Sequence, residues 1–158
     1  EAQDFTWSER AYRSAVARYF ELPEEEIAIL GQWELPTEEI AVVLFMARRS
    51  GISPEALVAL RQSGRSLTEL AESYRIGGQA LHVPLSDPAA AGSLTHLYER
   101  FEEVPVSEWS SIPLTGDDII TLVNVRVLSD YLGLPPDEIM RHTASAGSFV
   151  ELYTQLLR

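Results

Sequence analysis

At 158 residues and 46% apolar composition, the chain is long enough for one domain, or for two small halves that share a core. Its 24 acidic residues against 12 basic ones leave a formal charge of −12, which weighs against a polyphosphate partner; all twelve bases are arginine. There is no cysteine, so disulfides and thiolate metal sites are excluded, and the longest wholly apolar run, Ile40 to Ala47, is far shorter than the about 20 residues of a bilayer-spanning helix.

The first amphipathic segment runs from Trp7 to Phe20. The chain then states one phrase twice: LPEEEI, from Leu22 to Ile27, and LPTEEI, from Leu35 to Ile40. Each copy reads as a helix start. A leucine just outside the helix packs on an isoleucine five positions on, and Glu26 or Glu39 sits at the positive end of the helix dipole. The grammar recurs along the chain. Ser53 caps a helix that opens on Pro54, with Ile52 and Leu57 as the apolar pair. Ser66 and Glu69 form a capping box ahead of Leu70. Val104 pairs with Trp109 across Glu108, and Leu114 with Ile119, with Thr115 as cap and Asp118 at the third helical position. Leu134 pairs with Ile139 across Pro135, Pro136 and Glu138. Ser148, Glu151 and Leu152 make the last start. The two longest helices are predicted over Pro36 to Ser50 and Thr115 to Leu132, stopped by Gly51 and Gly133.

The spacing of these starts points to a repeat. Ile27, Leu57 and Leu70 recur 82 residues on at Trp109, Ile139 and Leu152, while Ile40 to Ile119 is three short. A second amphipathic segment, Ser93 to Phe101, precedes the later set as Trp7 to Phe20 precedes the first. The expected fold is all-α, a tandem duplication of a roughly 70-residue five-helix unit built from short capped helices. Residues 1–76 form the first half, 77–93 an extended linker and 94–158 the second half, the whole folding as two halves or one domain. Within the linker, ALHVPL (Ala80 to Leu85) is too apolar for a free tether. Its alternation predicts an extended, docked segment with Leu81, Val83 and Leu85 on one side and His82 and Pro84 on the other.

Candidate chemistry is sparse. Glu24-Glu25-Glu26, Glu38-Glu39 and Asp117-Asp118 each fall in a first helical turn, where acids are stabilising. His82, His96 and His142 stand apart, whereas a metal needs convergent ligands. No nucleophile elbow or phosphate loop occurs. No catalytic residue, metal ligand or cofactor is therefore expected. Arg126 lies in an apolar helix and needs a partner, and Asp130 stands one turn on. Asn124 shares that helix.

Leu57 to Ile76 (LVALRQSGRSLTELAESYRI) resembles, in outline and over about 20 residues, the helix-turn-helix of repressor and recombinase modules. That resemblance implies DNA contact through Arg61, Arg65 and Arg75, but Glu55, Glu69 and Glu72 offset them locally. LVNVRVLSDYLGLPPDEI, from Leu122 to Ile139, resembles uncharacterised bacterial helical proteins, which implies no activity. By elimination, the expected function is a non-enzymatic protein-interaction or scaffold module, an accessory subunit of a larger bacterial assembly. Its expected contact residues are Leu81, Val83, Leu85, Trp33, Asn124 and Arg126. A protein partner is expected and nucleic acid is not; association with a membrane surface is compatible with the composition. The alternatives are a helix-turn-helix nucleic-acid-binding protein, and an enzyme or small-ligand binder with a pocket between the halves. A chain opening on Glu1 without Met, and lacking Cys and Lys, suggests an exported, periplasmic protein, with a cytoplasmic one as the other option.

Overall fold

The computed structural model describes residues 6–23, 25–26, 29 and 32–157. Among these the fold is all-helical, without strands. The elements are α1 (Trp7–Tyr19), α2 (Thr37–Ser50), α3 (Pro54–Gln62), α4 (Leu67–Ser73), the single turn α5 (Gly78–Leu81), α6 (Thr95–Glu103), α7 (Gly116–Leu132), α8 (Pro136–Thr143) and α9 (Phe149–Leu156). Two 3-10 segments, Pro88–Leu94 and Val106–Ser111, flank α6.

The starts follow the cap chemistry. Ser53 Oγ accepts the Ala56 N–H, and Ser148 Oγ accepts that of Glu151. Ser66 with Glu69, and Thr115 with Asp118, each satisfy two otherwise unpaired amides as reciprocal capping boxes. Gly51 (φ 78°) and Gly133 (φ 69°) end the two long helices in the left-handed conformation, where a side chain would be strained. Ile27 and Glu24, which belong to the first copy of the repeated phrase, lie outside the described residues.

The long helices α2 and α7 pack against each other at the centre. Seven consecutive residues of α2, Ile40 to Met46, are buried. That is nearly two turns, so α2 is covered on its whole circumference there, as its unbroken apolar run requires. The cover comes from both ends of the chain. Helix α4 packs on α7, while α9 packs on α2 and α1. An early short helix thus packs on the later long helix, and the C-terminal helix on the earlier one. One hydrophobic cluster consequently extends from Tyr12 to Tyr153.

The connecting segment departs from a simple extended linker. Gly78–Leu81 is a helical turn and Pro88–Leu94 a 3-10 segment, leaving an extended stretch between them. The turn packs closely on its neighbours, so its first position takes a glycine: a Cβ on Gly78 would lie 2.8 Å from the Trp109 carbonyl oxygen and 3.0 Å from the Phe101 ring. The segment is nevertheless docked. Leu81 and Val83 are buried, Leu85 and His82 half-buried, and Pro84 exposed. Tyr98 donates its hydroxyl to the Val83 carbonyl. Asp137, at the start of α8, accepts the amides of Ser86 (3.0 Å) and Asp87 (2.7 Å). Burial raises the Asp137 carboxyl, but these backbone N–H groups outweigh it and hold the group below its ordinary range.

Candidate functional site

Where the ends of α1 and α2 meet the later turns of α7 and the Val83–Pro84 backbone, an open cleft of about 600 Å³ remains. Helix α2 ends in Arg48 and Arg49, where cations favour the negative end of the helix dipole. Gly51 then turns the chain away, so both side chains project from the helix end. Arg126 reaches the cleft from α7. Phe20, Phe45, Val83, Pro84 and Pro136 supply its apolar lining.

Two of the guanidiniums are held in place. Arg48 Cζ lies 5.4 Å from the centroid of the Phe20 ring, and its Nη2 donates to the Phe20 carbonyl at 2.5 Å. Arg126 Cζ lies 5.3 Å from the Phe45 centroid, and its Nη2 donates to the His82 carbonyl at 2.7 Å. Each is thus stacked on an aromatic face and anchored by one N–H, which favours one orientation of the planar fork. Burial lowers the Arg126 pKa below its ordinary value, and the neighbouring Tyr19 and Asp130 work against that. Arg49 stands exposed at the rim.

Four arginines elsewhere take carboxylates: Arg61 with Glu39 (2.9 Å), Arg65 with Glu69 (3.7 Å), Arg100 with Glu103 (3.3 Å) and Arg141 with Asp87 (3.8 Å). Among the described residues, Arg48, Arg49 and Arg126 have no carboxylate oxygen within 4.0 Å. Two acids do line the cleft, Glu21 and Asp130. Asp130 accepts the Tyr19 hydroxyl at 2.8 Å rather than pairing with Arg126, so the ion pair expected one turn along α7 is replaced by these two separate contacts. Burial first, then Asp130, push the Tyr19 phenol up to about 12.

Of the sequence-predicted contact residues, Arg126 and Val83 line this cleft. Asn124 does not. It is 0% exposed: its Oδ1 accepts the Tyr12 hydroxyl, and its Nδ2 donates to the carbonyls of Glu38 (3.1 Å) and Ile120 (2.8 Å). Its side chain has no surface for a partner; it ties α1 and α2 to α7. Leu81 (1% exposed) and Trp33 (9%) are likewise core side chains, and the Val83 side chain (5%) is nearly covered, because the chain's own helices take up these apolar groups. Leu85 is half-buried against the core, away from the cleft. Arg48, Arg49, Phe20, Phe45 and Tyr19 escaped the sequence reading. A local signal existed in the paired arginines directly after an apolar run and before a helix-stopping glycine.

Behind the cleft, His82 sits among rings, with centroids 4.5 Å from Trp109, 4.8 Å from Phe101 and 5.5 Å from Tyr98. Burial, then the Arg126 charge, lower its pKa. On the helix-turn-helix-like segment, Arg61 and Arg65 are turned to Glu39, Glu69 and Ser73 rather than outward together. Arg75 lines a different hollow, beside Glu72. Among the described residues no group of three or more side chains could hold a metal ion, and no helix is long and apolar enough to cross a membrane. No family model, curated protein or solved structure matches the chain.

Proposed function

We propose that this chain is a non-enzymatic protein-interaction module, an accessory subunit of a larger bacterial assembly, which docks its partner at the arginine cleft between its halves. One observation carries the reading. In a chain with twice as many acids as bases, three guanidiniums gather in one recess, and among the described residues none of them has a carboxylate oxygen within 4.0 Å. Positive charge collected against the overall field is suited to a negatively charged contact from outside. The cleft's phenol is pushed up to about 12 and its serine, Ser129, donates to the Leu134 carbonyl, so neither of these two groups is set to transfer a proton near neutrality. A nucleic-acid reading has less support, because Arg61 and Arg65 are already occupied by acids of the chain.

The architecture is part of the proposal. The two halves descend from one duplicated helical unit, and the cleft is the seam at which their long helices leave a gap. Support comes from the matching order of a long helix and a short pair in each half, from the glycine stop after each long helix, and from the reciprocal crossing of α4 and α9.

The test is site-specific photocrosslinking in the source cells, with a photoreactive residue at Pro84, on the exposed rim, and separately at Glu102, exposed on α6. A discrete adduct from position 84 and none from 102 is expected. Adducts from 102 alone, equal labelling from both, or none from 84 would overturn the assignment.

A further inference from the structure

We infer, resting on the reading above, that the occupant of the cleft is an acidic peptide segment of a protein partner, whose carboxylates are received by the guanidiniums of Arg48 and Arg126 while its apolar side chains lie on Pro84 and Pro136. A guanidinium carries five N–H donors in a planar fork. One donor of Arg48 and one of Arg126 go to backbone carbonyls, leaving the remainder of each fork for a ligand. A carboxylate matches that fork with two parallel hydrogen bonds. Ring stacking and the carbonyl anchors have already limited the motion of both side chains, so less freedom is lost when a ligand binds.

Three features select a peptide over other anions. The cleft is open and holds an apolar strip between its charged points, which suits a chain passing through with acidic and apolar residues in turn. Enclosed sites, which bury most of a small ligand, suit free metabolites better. Glu21 and Asp130 at its margin tolerate one or two carboxylates more readily than a dense phosphate cluster. A polynucleotide gains its affinity from many phosphate contacts, and beyond these three arginines its strand would meet a chain that is strongly negative overall.

The experiment pans random displayed peptides about ten residues long against the full chain, then measures fluorescein-labelled winners by anisotropy. Winners are expected to hold Asp or Glu beside apolar residues. Replacing those acids by Asn or Gln should weaken binding by about tenfold or more, as should Arg126→Gln and, separately, the double change Arg48→Gln with Arg49→Gln. Added salt should weaken binding, and pyrophosphate and a short single-stranded DNA should not compete. The double variant alters exposed side chains and must keep a cooperative thermal transition, with the midpoint lowered only by the loss of the Arg48 contacts to Phe20; it decides the matter if Arg126→Gln fails to fold. No winners, winners without acids, or affinity indifferent to the arginines would overturn the inference, and competition by pyrophosphate or DNA would reassign the cleft to phosphates. An adduct at position 84 with acid-free winners would leave the interaction module standing and remove only the acidic peptide. Acid-dependent winners without any adduct would do the reverse.

Discussion

The contact between Tyr12 and Asn124 joins residues 112 positions apart and lies entirely inside the core. Tyr12→Phe leaves the Asn124 Oδ1 without its donor, at a cost of about 1–3 kcal/mol for an orphaned buried acceptor. Asn124→Leu keeps similar volume but orphans the Tyr12 hydroxyl and removes two amide donations, so about 2–4 kcal/mol is expected. The double variant orphans neither partner. Its loss should fall short of the sum of the single losses by about 1–2 kcal/mol, because a buried pair replaced on both sides is far less costly than a pair broken on one. Four urea titrations at neutral pH, compared at equal slope, measure the cycle. Additivity within about 0.5 kcal/mol would refute the reasoning. It would mean that this hydrogen bond does not couple the first helix of the chain to α7.

Other parts of the account can be checked singly. Gly78→Ala places a Cβ against the Trp109 backbone and should cost about 1–3 kcal/mol in urea, whereas Gly116→Ala, which meets nothing within 4 Å and has no positive φ, should stabilise by about 0.4–1 kcal/mol. Asp137→Ala removes the acceptor for Ser86 and Asp87, so amide exchange at those two residues should quicken while the core of α7 stays protected. His82 has a lowered pKa in the folded chain, so below about pH 6.5 the unfolded chain takes up a proton that the folded chain resists. Its contribution is present above that pH and is lost progressively as pH falls below it, at no more than about 1.4 kcal/mol per pH unit; a His82→Gln variant should lack that component in denaturation curves at pH 7.5, 6.5 and 5.5.

What could be read from the sequence was chiefly what is settled within one helical turn. Ser53, Ser66, Thr115 and Ser148 cap helices because the amides they satisfy lie three residues on. Gly51 and Gly133 stop helices through their own φ angles. The unbroken apolar run of α2 announced burial on all sides. Contacts between distant segments left no such trace. Asp130 stands one turn from Arg126, and local spacing favoured that pair, yet tertiary packing brings Tyr19 to Asp130 and the His82 carbonyl to Arg126. Asn124 looked like a polar misfit in an apolar helix, a pattern shared by contact residues and by satisfied core residues; only the position of Tyr12 separates the two. The linker shows both cases. Its apolar composition foretold docking, while the close approach of Trp109 to Gly78 is a tertiary contact that local spacing does not show. The cleft draws on four separate stretches of chain, so Arg48 and Arg49 read alone were only a helix end.

The most direct measurement is side-chain NMR of the arginine Nε–H groups in the full chain, free and with an acidic peptide selected as above. The account predicts that Arg48 and Arg126 are already ordered in the free protein, with resolved and slowly exchanging Nε–H signals, and that these shift on binding while those of Arg75 and Arg100 do not. Rapidly averaged signals for Arg48 and Arg126 in the free chain, or a peptide that moves Arg75 and Arg100 instead, would contradict it.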